Sequence, residues 1–147
     1  MHKRRSRGQA LVEFSLVLIP FMWMLLGVVD LGRGIYVSNG VAQAAREIAR
    51  ADSVHACDAD RSSCTVGTSS YTASAIATQK GLVPGLGGAG ASITFACTNE
   101  ADTVQPKCVP GNFVRVSISV PFSVVTPLLS MVAPSTLTSV THIQIPK

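Results

Sequence analysis

Arg7-Gly8-Gln9-Ala10-Leu11-Val12-Glu13-Phe14-Ser15-Leu16-Val17-Leu18-Ile19-Pro20-Phe21-Met22-Trp23-Met24-Leu25-Leu26-Gly27-Val28-Val29-Asp30 is the stretch that decides the fold. From Phe14 to Val29 it carries no charge, and ten of those sixteen positions are Leu, Ile, Phe or Val. Each such residue favours insertion by roughly 0.3–0.6 kcal/mol near mid-membrane, so the run contributes about −3 to −6 kcal/mol. Counted back to Ala10 it is about 20 residues long, enough for a helix to cross a ~30 Å hydrocarbon core. Pro20 costs about 3 kcal/mol in a soluble helix but is better tolerated inside a membrane.

The charges on either side set the orientation. The formal net charge is +4, from 12 basic and 8 acidic residues. Lys3, Arg4, Arg5 and Arg7 supply that excess, which leaves the bulk of the chain neutral and without a basic face for nucleic acid. Cations before the span and none just after it predict a cytoplasmic N-terminus and an outer C-terminal portion. A cleaved secretory signal also begins with a basic segment and an apolar core. Its small-residue site would be Ala42-Gln43-Ala44, which begins thirteen residues past Val29 and is too distant.

Glu13 lies at the cytoplasmic end of the apolar run, where an ionised carboxylate either stays wet among the headgroups or needs a partner. It is the fifth residue after Gly8, which a basic residue precedes. This pattern resembles a prepilin processing site, cleaved after the glycine by a membrane aspartyl peptidase. The resemblance implies that Gln9 becomes the new N-terminus and that Glu13 pairs with the free amine of a neighbouring subunit. Pilin-like proteins also occur as uncleaved anchors.

The helix is expected to continue beyond the membrane. No proline interrupts Asp30 to Asp52, and Asp30 with Arg33 and Glu47 with Arg50 stand three apart, where side chains share a helix face. From Gln9 to Asp52 such a helix would be about 65 Å long. Ala42, Ala45 and Ala49 form a stripe on which either the chain's own sheet or another subunit could rest. Gly27, Gly32, Gly34 and Gly40 each weaken the helix by up to ~1 kcal/mol relative to Ala, which marks Gly32–Gly40 as the place where a break could fall in a helix otherwise read as continuing to Asp52.

Arg7-Gly8-Gln9-Ala10-Leu11-Val12-Glu13-Phe14, then Asp30-Leu31-Gly32-Arg33, then Ala44-Ala45-Arg46-Glu47-Ile48-Ala49-Arg50 resembles the TadE-like family. Its members are minor pilins or pseudopilins of the tight-adherence (Flp, type IVb) pilus system of bacteria. Toward the C-terminus, Val114-Arg115-Val116, Val120-Pro121-Phe122 and Thr126-Pro127-Leu128 look like the family's last-but-one strand and following loop. Members often carry an aromatic where Pro121 stands. Residues 53–90 carry no family motif.

Periodicity predicts a small α+β domain after the helix. A short helix is expected over Tyr71–Leu82, stopped by Gly81, and a loop over the glycine-rich Leu82–Gly90. Ala91–Thr98 alternates, with Ile93, Phe95 and Cys97 on one face; Phe113–Phe122 alternates more cleanly, with Val114, Val116, Ile118, Val120 and Phe122 together. Thr136–Ile145 is a weaker third strand. The expected fold class is thus α+β: a long N-terminal membrane-spanning helix packed on a three-stranded antiparallel sheet, a pilin-like arrangement. The segments are a basic leader (1–8), the transmembrane and amphipathic helix (9–52) and an extracytoplasmic domain (53–147).

Cys57, Cys64, Cys97 and Cys108 all fall on the outer side, where disulfides persist. Four cysteines allow three pairings. Proximity favours Cys57–Cys64 and Cys97–Cys108, each stabilising by about 2.5–3 kcal/mol in the chain-entropy model. Neither spacing is that of a zinc ligand pair, although His55 is near Cys57. His2, His55 and His142 are scattered, Asp58 and Asp60 lie in a polar loop, and Gly85-Leu86-Gly87-Gly88-Ala89-Gly90 lacks the Lys-Ser/Thr of a phosphate-binding loop. No catalytic residue, metal or cofactor is expected.

The resemblance implies a protein of the bacterial inner membrane, processed after Gly8, whose outer domain is periplasmic or extracellular. Its expected partners are the membrane, other pilins and pseudopilins, the inner-membrane assembly platform and the prepilin peptidase. The alternatives are an uncleaved envelope scaffold and an exported soluble binding module.

Overall fold

The computed structural model describes residues 6–58, 62–126 and 134–147, with the backbone alone for Ser6 and Arg7. The basic leader as far as Arg5, His2, Asp60 and the Pro127-Leu128 end of the C-terminal motif lie outside these residues. The elements are α1 (Ser6–His55), α2 (Ser70–Leu82), β1 (Ser92–Thr98), β2 (Phe113–Pro121) and β3 (Thr136–Gln144). They fall into two compact units: α1 up to Gly34 with 123–126, and the remaining 35–122 with 134–147.

α1 is 50 residues long and contains Pro20. It continues past the membrane-length run as expected and is unbroken at Gly32–Gly40, where the glycines marked a weak point, because packing supports the helix where propensity does not. Val37, Val41, Ala44, Ala45, Ile48 and Ala49 form a buried face at helical spacing. Gly40 lies against α2's end; a Cβ there would stand 3.4 Å from Val83 Cγ1. The helix also outruns the expected end at Asp52. Its last turn is held by His55, which stacks on Tyr71 at 3.8 Å and meets Asp58 Oδ2 at 2.7 Å through Nδ1.

α2 starts with Ser69 as N-cap, its hydroxyl accepting from the Thr72 N–H at 3.0 Å. Gly81 does not stop it. The helix includes Leu82 and ends at Val83, whose backbone is extended, as the following Pro84 requires. In the glycine-rich turns, Gly85 has φ +85°, and a Cβ there would lie 2.8 Å from Val120 Cγ1. Glycine therefore lets this loop close over the sheet.

The sheet is antiparallel in the order β1-β2-β3, with Phe95 opposite Val116 and Val116 opposite Thr141. β2 is central, and Val114, Val116, Ile118 and Val120 are almost wholly buried. They join the buried face of α1, Leu86 and Ile145 in one core, giving the α+β arrangement. Ala45 and Ala49 are fully buried and Ala42 half-buried, so the stripe is covered by the chain's own domain. Disulfides join Cys57 to Cys64 and Cys97 to Cys108. The two closed loops adjoin, since the Cys64 N–H donates to the Cys108 carbonyl at 2.9 Å.

Asp52 ties three segments of this domain together. Its side chain is 0% exposed, and Oδ1 accepts from the Gly67 N–H at 2.8 Å and the Thr72 hydroxyl at 2.7 Å. Oδ2 has no partner among the described residues. Burial pushes its carboxyl above the ordinary 3.8, against the opposing pull of Thr72 and Gly67. The folded state thus holds this proton more tightly than the unfolded chain, so the Asp52 contribution to stability falls as pH rises from about 4 through the raised value. Asp52→Asn keeps an acceptor at Oδ1 and removes the buried charge. Its melting temperature relative to the parent should therefore climb from pH 4 to pH 7, as calorimetry at several pH values would show.

Candidate functional site

Two features distinguish the N-terminal unit: an apolar surface left exposed among the described residues, and a carboxylate that ends it. Every Leu, Ile, Val, Phe, Met and Trp from Leu11 to Val29 is exposed, on all sides of the helix. A helix apolar all round suits the interior of a membrane or an assembly, not water. α1 is also long and apolar enough to cross a membrane. Gly8, Gln9 and Glu13 stand exposed in its first turns, and a Cβ at Gly8 would meet nothing within 4 Å.

Asp30 follows Val29 directly. Asp is a poor residue for a helix interior, because its carboxylate competes for backbone N–H groups. Here it is 2% exposed and accepts from N–H groups far away in sequence. The Val125 N–H lies 3.0 and 3.1 Å from its two oxygens, and the Thr126 N–H lies 2.7 Å from Oδ2. The partners are 95 and 96 residues from Asp30 along the chain. Arg33 Nη1 is 4.0 Å from Asp30 Oδ1, and with the Arg side chain half-exposed this pair is a minor addition. Sequence reading paired Asp30 with Arg33 and missed the stronger backbone contacts.

The remaining motif residues divide by face. Ala45 and Ala49 point into the core, whereas Arg46, Glu47 and Arg50 are exposed on the opposite side. Gly32 is exposed, with nothing within 4 Å of a Cβ placed on it, so packing among the described residues does not require glycine there. Tyr36, Asn39, Gln43 and Glu47 of α1 line an open groove of about 420 Å³ with Gln79 and Val83. No group of three or more metal-ligating residues is found among the described residues. Cys57 is disulfide-bonded and is not a free thiolate beside His55.

These features define a class: a chain with one exposed apolar N-terminal helix that continues into the core of a disulfide-bonded α+β domain. Residues 8–50 match the model of the family described as TadE-like protein, the family that the motifs resemble. The matched segment holds the Gly8–Glu13 start, the Asp30–Arg33 motif and the Ala44–Arg50 motif, and it ends before the sheet. A search of the curated proteins gave no match, and a search of the solved structures gave none.

Removing the acceptor should release the segment that Asp30 holds. In Asp30→Ala, the amides of Val125 and Thr126 are expected to exchange much faster than in the parent, with β2 amides little changed. Hydrogen-exchange mass spectrometry on the full chain in detergent micelles would check this.

Proposed function

We propose that this chain is a TadE-like minor pilin or pseudopilin that acts in assembly of tight-adherence pili. The observation that carries this reading is the coincidence of the family match over 8–50 with an apolar helix exposed on every side. Its work is non-covalent. The helix anchors the subunit in the bacterial inner membrane and then offers the same surface to other pilins or pseudopilins at the assembly platform. Transfer from lipid to an apolar helical bundle leaves that surface covered throughout, so dispersion and close packing rather than water exclusion decide the contact. A separate ATPase drives extraction.

Lys3, Arg4, Arg5 and Arg7 support a cytoplasmic N-terminus. The two disulfides fit a domain held in the oxidising periplasm or outside the cell. On this reading a prepilin peptidase cleaves after Gly8. That puts a free amine on Gln9, which can pair with Glu13 of a neighbouring subunit and relieve the cost of a carboxylate in an apolar helix. On this reading the chain contributes packing rather than catalysis.

Gly8→Ala tests the processing step cleanly, because the new methyl group has open space. Intact mass of the protein from native membranes should show a chain beginning at Gln9, and Gly8→Ala should retain the leader and lose pilus assembly. A parent protein that keeps residues 1–8 would instead fit the uncleaved scaffold.

A further inference from the structure

We propose that the segment carrying Val125 is a second lipid-contacting element, seated in the outer interfacial layer of the bilayer beside the end of the α1 span. The inference rests on the reading of α1 as a membrane anchor and goes beyond it. Val29 closes the apolar run, and Asp30 stands one residue further, about 1.5 Å along a helix axis. The three hydrogen bonds from Val125 and Thr126 to Asp30 therefore fix this segment at the depth where the span ends.

Much of what stands exposed at that depth is apolar, and the half-exposed Arg33 guanidinium, 4.0 Å from Asp30 Oδ1, sits on a side chain long enough to reach toward the aqueous side. Val125 is 65% exposed, as are Val28 and Val29 at 60% and Leu31 at 65%, the α1 neighbours of Asp30. Val125 belongs to the same unit as the span. Lipid suits this patch for two further reasons. Backbone that enters a layer poor in water must have its N–H groups satisfied within the protein. The Val125 and Thr126 N–H groups both are, and the same bonds satisfy the Asp30 carboxylate. In addition, no Asp, Glu, Lys or Arg occurs between Arg115 and Lys147, so no formal charge close in sequence to Val125 has to be kept in water. A protein partner on the patch would also cover it, and the test separates the two.

Nitroxide labels on Val125→Cys, Val17→Cys and Val104→Cys in the full chain, reconstituted into phosphatidylethanolamine–phosphatidylglycerol vesicles, read the depth of each site. The Val125 side chain is exposed, and the bonds to Asp30 come from its backbone, so the substitution leaves them in place. The ratio of oxygen to nickel-chelate accessibility should be highest at position 17. At position 125 it should be several-fold above that at 104, an exposed site in the other unit. A ratio at 125 equal to that at 104, with 17 still in lipid, overturns the proposal and leaves the anchor standing. Low accessibility of 125 to both reagents overturns it in favour of a protein contact. A water-exposed label at 17 removes the anchor and the proposal together.

Discussion

Fifteen large apolar side chains between Leu11 and Val29 stand exposed among the described residues, and the rest of the molecule is arranged around that constraint. Burying each fully is worth about 1.5–3 kcal/mol, far more in total than a small domain's net stability. The surface must therefore be covered by lipid or by other helices wherever the protein resides. A helix of this kind needs no change in the chain to pass from one apolar environment to the other. It also leaves the α+β domain to fold on a modest core of Val, Ile, Leu and Ala, supplemented by two disulfides.

The two carboxylates buried along α1 solve different problems. Asp30 lies at the end of the apolar run and gathers N–H groups that a loop would otherwise leave to water. Asp52 lies near the helix end, bonded to the Gly67 turn and to the first turn of α2. Each is an unfavourable residue for a helix interior, kept because it accepts hydrogen bonds from distant chain. Asp30 is fully occupied, whereas Asp52 has an unpartnered Oδ2 and carries the larger desolvation burden.

Much of this architecture was legible in the sequence. The apolar run and the alternation of Val114, Val116, Ile118 and Val120 are periodic signals that few other elements produce, and they pointed to the long apolar helix and the central strand. What failed was local punctuation. Gly32, Gly34 and Gly40 did not break α1, because tertiary packing of Val37, Val41 and Ile48 outweighs propensity. Gly81 did not stop α2, since Pro84 dictates the end. The contacts from Asp30 to Val125 and Thr126, and from Cys64 to Cys108, were beyond reach, because no spacing rule joins residues so distant in sequence. At the candidate site, Gly8, Glu13 and Asp30 were readable as residues, but only coordinates show what Asp30 holds. The alanine stripe illustrates the same limit: spacing marked it as a contact face, and the structure assigned that contact to the chain's own core.

The central claim is that α1 crosses the inner membrane with the disulfide-bonded domain outside. Alkaline phosphatase fused after Lys147 and expressed in the native bacterium tests it most directly, because that enzyme becomes active only where its own disulfides form. The account predicts high phosphatase activity in the membrane fraction, and a green fluorescent protein fused at the same point for cytoplasmic folding should stay dark. An inactive phosphatase with a fluorescent counterpart would place the domain in the cytoplasm and contradict the account.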